Sequence, residues 1–384
     1  MKVKVIIGAN YGDEGKGLTT SYFTITSEGR TLNVLHNGGC QRGHTVNING
    51  KRHVFHCFGS GSLNGAATYY HPNFLADPIS WSIEVDQLGF APELYVNSHC
   101  RVVTPYDIAL NRAKEVARGI NKHGSCGLGI FDTITRHKTV PLYISDLLDE
   151  QNLYSKLQSI KEYYKQQCKI NNYPLEDITV DTFFRSVHLF KQSVNVVNEH
   201  IYNYGFDNII FEGGQGLRLD MDNMDDFPHL TPSSTGLKVI SNDIEKLVKK
   251  YDADVEVVYI TRPYLTRHGA GPLFAECKRE ELSENIIDKT NQPNPWQDSI
   301  RFAPLELRTM INFIEKDKEY LWDKDIDTNV KFSLAITQNH LNSGKLFTTE
   351  GNLSIEESRL MFHFDRIHTF IAERFDVTVD DLMY

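Results

Sequence analysis

An apolar run, Val3 to Ile7, leads straight into Gly8-Ala-Asn-Tyr-Gly12-Asp13-Glu14-Gly15-Lys16-Gly17, after which helical spacing sets in near Leu18 to Thr26. A buried strand turning through glycines into a helix is the opening of a parallel α/β unit. Glycines let backbone N–H groups approach phosphate oxygens, the following helix N-terminus favours anions, and Lys16 adds positive charge. The loop resembles a P-loop but is not a Walker A motif. Its spacing is longer, and Gly17 stands where Ser or Thr would hold magnesium. A metal ligand must then come from elsewhere, and Asp13 is placed to serve.

The pattern repeats along the chain. Thr31 to Leu35 is a second apolar run, followed by a glycine-rich loop that carries Gly43-His44-Thr45. Asn208 to Phe211, Val255 to Ile260 and Phe332 to Ile336 read as further core strands. Tyr106 to Ile120 has helical spacing, 150–203 reads as a peripheral helical region, and Ser354 to Phe375 as an amphipathic helix. The expected class is α/β: a mainly parallel central sheet with helices on both faces and helical insertions. Ligands then belong at the carboxyl ends of the strands. No repeat or linker divides the chain, so residues 1–384 are expected to form a single domain with a helical insertion at about 150–205.

A formal net charge of -10 argues against nucleic-acid binding without excluding a local basic pocket. Six cysteines without a C-x-x-C pair suggest neither a disulfide framework nor a zinc site. The N-terminal apolar run is too short for a signal peptide, and no window is long and apolar enough to span a membrane. A cytoplasmic protein is the expectation.

GDEGKG after the first strand and GHT after the second resemble the adenylosuccinate synthetase family. The resemblance continues in order through Glu212-Gly-Gly-Gln215-Gly with Leu219-Asp220, Pro228 and Thr231-Pro-Ser-Ser-Thr235, and Thr266-Arg267-His-Gly269-Ala-Gly271-Pro272. It implies a ligase that phosphorylates the 6-oxygen of a purine nucleoside monophosphate and replaces it with the amine of an amino acid, aspartate by preference. By that resemblance Asp13 takes the N1 proton and, with the Gly43 carbonyl, ligates Mg2+. His44 donates to the oxygen being phosphorylated, Lys16 stabilises the phosphates, and Gln215 orients the purine edge. Gly12, Glu14, Gly15, Gly17, Gly43, Thr45, Thr231 and Arg267 are expected around the nucleotides. The partners implied are small molecules and a second copy of the chain, as a homodimer.

Several segments depart from the family. Its guanine-reading Thr-Lys-x-Asp appears here as Thr337-Gln338-Asn339-His340, and the chain ends at Asp380-Asp381-Leu382-Met383-Tyr384, where a further guanine-contacting segment would follow. Neutral amides do not accept from guanine N1–H and the 2-amino group as a carboxylate does, and unpaired donors cost about 1–3 kcal/mol each. ATP rather than GTP is therefore the expected donor, with Gln338 and Asn339 beside its base. The arginine-rich amino-acid loop reads Asn291-Gln-Pro-Asn294-Pro-Trp296-Gln297-Asp298-Ser299-Ile300-Arg301-Phe302, leaving Arg301 to clamp a carboxylate. Another small amino acid stays open. The 5′-phosphate loop is Gly124-Ser125-Cys126-Gly127-Leu128-Gly129, with Ser125 as donor and Cys126 as a packing substitution. Arg136 is the candidate to reach a neighbouring subunit's site.

This drift resembles the viral branch of the family, which aminates dGMP and can use ATP. Members of that branch often replace the first loop's aspartate, which this chain keeps as Asp13. IMP, GMP and dGMP all remain candidate acceptors, and a phage source fits. Other readings are a catalytically silent nucleotide-binding homologue and a P-loop kinase or ATPase. Retention of Asp13, Lys16, His44 and Gln215 together disfavours the former, and the missing Ser/Thr after Lys16 disfavours the latter.

Overall fold

In a computed structural model of the chain, the described residues are 1–384 apart from 49, 122, 200, 287–298, 323, 339–344, 363–368 and 371–384. The strands of the main sheet are β1 (Lys2–Gly8), β2 (Thr31–Leu35), β3 (Ala67–Tyr70), β4 (Leu94–Asn97), β5 (Asn195–Val197), β6 (Asn208–Gly216), β7 (Asp254–Thr261), β8 (Val330–Ile336) and β9 (Thr369–Phe370). Among the described residues they form one nine-stranded sheet in the order β9-β8-β7-β1-β6-β2-β3-β4-β5. Every pairing in it is parallel. The carboxyl ends therefore share one edge, and β1, in the middle, sends its glycine-rich loop out between those of its neighbours.

Helices named below are α1 (Lys16–Ile25), α2 (Pro105–Arg118), α3 (Ile130–His137), α4 (Glu150–Asn171), α5 (Asp181–Ser193), α6 (Ser241–Tyr251), α7 (Leu307–Trp322) and α8 (Ile355–Phe362). The alternation of β1 sends Val3, Val5 and Ile7 to one face, where they pack with Ile244 and Leu247 of α6 and Met310 and Ile314 of α7. Ile6 points the other way and joins Phe23 of α1, Ile210 and Val258. Helices thus cover both faces, as the near-continuous apolar strands require. On α2 the capping chemistry is explicit: Thr104 accepts from Asp107 N–H, Asp107 accepts from Thr104 N–H, and Pro105 sits at the first turn.

The expected helical stretch is α4 and α5 followed by an edge strand. Leu153, Leu157, Ile160 and Tyr164 of α4 and Phe183, Val187 and Phe190 of α5 recur at helical spacing and bury against Tyr70 and Val96. Asn195–Val197, read as helical from composition, instead pairs with β4. At the other edge, the helix expected through Phe375 is described only as Ile355–Phe362, and Thr369–Phe370 pairs with Ser333 and Leu334 of β8. Both corrections have one cause. An exposed sheet edge offers unpaired backbone groups that an adjacent extended segment satisfies, which periodicity does not register. Among the described residues no helix is long and apolar enough to cross a membrane.

Asp317 on α7 ties the helical layer to the sheet. Its carboxylate accepts from Leu237 N–H at 2.8 Å and from the Tyr259 hydroxyl at 3.0 Å. Burial pushes its pKa up to about 7 against those hydrogen bonds. The folded chain therefore keeps a proton that the unfolded chain releases near pH 4. This group's stabilisation is full below about pH 4 and is lost as pH rises toward 7. Asp317→Asn should remove that slope, by at most about 4 kcal/mol across the window. Urea unfolding of both proteins at pH 5 and 8 measures it, and parallel pH profiles would refute it.

Candidate active site

The loop after β1 winds through left-handed conformations, with φ of 102° at Gly12, 58° at Asp13 and 93° at Gly15. Left-handed residues clustered ahead of a helix N-terminus are the backbone setting in which loop N–H groups can cradle an anion. Gly15 is the N-cap of α1, which begins at Lys16. Glu14, 3% exposed, accepts from Asn10 N–H at 2.8 Å and from the Asn10 side chain at 3.0 Å. Burial raises its pKa to about 7 against the neighbouring Lys16 charge. Lys16 is itself buried, which lowers its pKa while Glu14 and Asp13 hold it up. The Asp13 side chain stays 27% accessible, with His268 Nε2 at 3.5 Å.

The second loop lies directly against the first: a Cβ on Gly17 would stand 2.8 Å from that of His44, so only glycine lets them approach this closely. Around His44 is a buried cluster that the sequence reading did not single out. Glu212, at the end of the apolar run of β6 and wholly buried, has Arg42 Nη2 and His44 Nδ1 each 2.5 Å from its carboxylate. It also accepts from Ser60 N–H at 2.9 Å and from the Ser60 hydroxyl. Burial works to raise the pKa of Glu212, but the Arg42 charge and the bonds from His44 and Ser60 outweigh it and hold the group at about 2. Burial and then Arg42 push His44 down to about 3, so its ring is neutral near pH 7. Arg42 Nη2 also lies 2.5 Å from His44 Nδ1. That nitrogen either accepts from the guanidinium, leaving a hydrogen on Nε2, or donates to Glu212. The available signals were a cation inside a glycine-rich loop and a carboxylate at a strand's carboxyl end.

Gln215 follows on β6 with φ of 57°, its Cα 3.6 Å from where a Gly12 Cβ would be. Its side-chain oxygen is buried and has no hydrogen-bond partner among the described residues, as is the case for that of Gln41. Thr231 donates its N–H to Leu219 and keeps its hydroxyl 3.4 Å from that of Ser233. Thr45 lies on the hairpin strand His44–Ile48, half-buried. On the sheet's carboxyl edge, then, Asp13, Lys16, Gly43, His44 and Gln215 are brought together by loops of β1, β2 and β6.

Other expected residues are engaged internally. Arg136, the candidate to reach a neighbouring subunit, is wholly buried here, with its guanidinium engaged within the chain by Asp107 at 2.7 Å and 3.0 Å and by the Val140 and Val102 carbonyls. A buried arginine needs such a carboxylate, and Asp107 supplies it across the α2–α3 contact. Arg267, 1% exposed, binds Asp226 and the carbonyls of Pro272 and His229, and stacks over Tyr11 at 4.2 Å. Arg301 is held bidentately by Glu276 and donates to Gly269 and Gly271 carbonyls, so it fastens the 267–272 loop. The Ser125 hydroxyl donates to Asn111 at 3.2 Å. Gln338 follows Thr337, whose hydroxyl donates to the Glu14 carbonyl at 2.7 Å, and its own side-chain oxygen accepts from the Tyr264 hydroxyl at 2.6 Å, whereas Asn339, His340 and most of the 291–302 segment lie outside the described residues.

The sequence model of the adenylosuccinate synthetase family matches residues 5–292. The adenylosuccinate synthetase of Actinobacillus pleuropneumoniae serotype 7 is 30% identical over 308 residues, 76% of this chain and 68% of that protein. That of Glaesserella parasuis serovar 5 is 31% identical over 307 residues, with the same coverage of 76% and 68%. Among solved structures, a fully ligated adenylosuccinate synthetase from Plasmodium falciparum superposes with a TM-score of 0.70 at 18% identity, over 90% of this chain and 79% of that one. The succinoaminodeoxyadenylate synthetase of cyanophage S-2L, bound to dGMP and to dATP as an energy donor, gives 0.62 at 16% identity over 96% and 91%. The two structures share the parallel-sheet fold, and the sequence matches give the lineage: this chain belongs to the adenylosuccinate synthetase family, ligases that form carbon–nitrogen bonds in purine nucleotide synthesis.

Proposed function

We propose that the protein uses ATP to activate the 6-oxygen of a purine nucleoside monophosphate (IMP, GMP or dGMP) and exchanges it for the amine of aspartate, giving an N6-succinyl nucleotide. The observation that carries this reading is the meeting of the Gly12–Gly17 loop with the Arg42–His44–Glu212 cluster across the Gly17 contact. A carboxylate that takes a proton and an imidazole that gives a hydrogen bond are thereby set beside one anion-binding concavity.

Asp13 accepts the N1 proton, charge builds on O6, and O6 attacks the γ-phosphorus as ADP departs. His44 with hydrogen on Nε2, the form in which Nδ1 accepts from Arg42, donates to the charging oxygen. Lys16 and the loop amides hold the phosphates. The aspartate amine then adds at C6, loses a proton, and inorganic phosphate leaves. Mg2+ would suit the donor set, since Asp13 and the Gly43 carbonyl would offer it hard oxygen ligands. An ion held by so few protein ligands is completed by phosphate oxygens and water, the habit of Mg2+. Bound there, it would neutralise charge on the phosphates. The working unit we take to be a cytoplasmic homodimer, as in the resemblance.

The test is phosphate release with ATP or GTP, Mg2+ and aspartate against IMP, GMP and dGMP in turn, with mass analysis of the products. ATP-supported release with a succinylated nucleotide is expected. The cyanophage neighbour's dGMP and dATP support the dGMP arm. A stable phosphorylated nucleotide formed without the amine would make the protein a kinase instead. Silence in every combination would refute the acceptor or the amine and direct attention to the 291–302 segment.

A further inference from the structure

The segment 266–268 lies along residues 11–13 of the first loop. The Thr266 hydroxyl donates to the Gly12 carbonyl at 3.5 Å, the Arg267 guanidinium stacks over the Tyr11 ring at 4.2 Å, and His268 Nε2 stands 3.5 Å from Asp13 Oδ2. The backbone that carries His268 is itself fixed. Arg301 donates to the Gly269 and Gly271 carbonyls, Arg267 donates to that of Pro272, and Arg267 faces Arg301 in a short antiparallel pair of strands. A Cβ on Gly124 would stand 2.8 Å from the Gly269 Cα, so the chain at Gly124 packs against this segment as well. Among the described residues no hydrogen bond holds the Asp13 carboxylate, and His268 is the one basic group within ion-pair distance of it.

We propose that His268 is a positioning residue for Asp13: its Nε2–H donates to one carboxylate oxygen and holds the group in the rotation in which the base works. The inference rests on the reading of Asp13 as general base and extends it to a residue the sequence reading passed over. The terminal torsion of an aspartate is broad and two-fold, so a carboxylate without neighbours rotates. Yet Asp13 is asked both to take the N1 proton and to ligate Mg2+, and each task needs an oxygen lone pair in a set direction. One rotation must therefore be favoured. At 3.5 Å the contact is long for a hydrogen bond, and such bonds often shorten once substrate is seated. The donation asks only for a hydrogen on Nε2. The neutral ring carries it in that tautomer and the imidazolium carries it in any case, so the role does not depend on the ring's charge. His268 Nδ1 is buried with no partner among the described residues, so nothing there calls the hydrogen away from Nε2.

The experiment is steady-state turnover of the full chain with saturating ATP, Mg2+ and aspartate on each of IMP, GMP and dGMP. It compares the wild type with His268→Leu, His268→Ala and His268→Gln, each also in the Asp13→Asn background. Leucine and alanine both remove the donor while differing in bulk, and glutamine can bring an N–H to the place of Nε2. His268→Leu and His268→Ala should each lower kcat about tenfold, the lower worth of a hydrogen bond to a charged group. The KM of the acceptor and the melting temperature should stay where they were. His268→Gln should recover most of the loss. In the Asp13→Asn background none of the three should lower turnover further, since His268 acts only through that carboxylate. A wild type silent on all three acceptors, or near-normal turnover in Asp13→Asn, would overturn the reading of the site and this inference with it. A crippled Asp13→Asn beside an intact kcat in His268→Leu and His268→Ala would overturn this inference alone. A loss that glutamine does not restore, or one as large without Asp13 as with it, would make His268 a packing residue and also overturn it.

Discussion

Asp13→Asn is expected to lower turnover by about 10²- to 10⁴-fold, the range for loss of a positioned general base, while leaving the melting temperature where it was. Asparagine is the clean substitution here. Position 13 has φ of 58°, and Asn tolerates the left-handed region far better than most residues, so the loop keeps its path. The amide matches the carboxylate in shape but takes no proton from a purine N1. The side chain is 27% accessible and takes no part in the apolar cores, so folding should not notice the change. Asp13→Ala should lose as much activity, with a small added loss of stability from strain in the loop. Near-normal turnover in Asp13→Asn would remove Asp13 as the base and with it the proposed order of events. A fall in activity matched by a fall in melting temperature would point to the loop's structure instead.

Much of the scaffold could be read along the chain because local signals agree there with the global fold. Thr31–Leu35 is a strand with the bounds its apolar run suggests, and the first loop leads into a helix that starts at Lys16. What stayed hidden depends on pairs distant in sequence. Glu212 looks like one more polar residue after an apolar strand until β6 pairs with β1 and β2, placing it beside Arg42. Arg136 looks like an available surface cation until α3 packs on α2 and Asp107 claims it. Arg301 looks like a waiting carboxylate clamp, yet Glu276 fills its fork. A charge's role is decided by which opposite charge the fold brings within reach, and periodicity carries no trace of that. The edge strands β5 and β9 were missed for a related reason, since their pairing partners lie outside any local window.

The cluster around Glu212 sets the second large expected effect. Arg42→Met leaves Glu212, with no accessible surface, without its guanidinium partner. Breaking a buried ion pair from one side costs about 3–5 kcal/mol. Glu212→Gln should cost a similar amount, because it strands Arg42, which is 3% exposed. The variant carrying both changes should lose less than the two single losses added together, since neither charge is then left alone. Urea unfolding of the four proteins measures this, and additive losses would mean the two residues act separately.

The arginine variant also reverses a titration. Arg42 is a principal reason, after burial, that His44 is pushed down to about 3, while Glu212 pulls the other way. With Arg42 gone, His44 becomes the nearest group able to balance Glu212, and its pKa should rise, above the ordinary value of about 6.5 if the carboxylate dominates. A histidine with a raised folded-state pKa contributes stability that is complete below about pH 6.5 and fades as pH climbs through the new value. Arg42→Met should therefore recover part of its lost stability at pH 5.5 relative to pH 8. The wild type should show the opposite His44 contribution, because acidification must then charge a buried ring that resists it. Without the guanidinium to accept from, the neutral ring at pH 8 should keep its hydrogen on Nδ1 toward Glu212 and leave Nε2 with none to donate. The imidazolium formed at pH 5.5 carries a hydrogen on both nitrogens and should recover part of the activity. Activity recovered together with stability would assign Arg42 to setting the state of His44, whereas stability regained without activity would overturn that role.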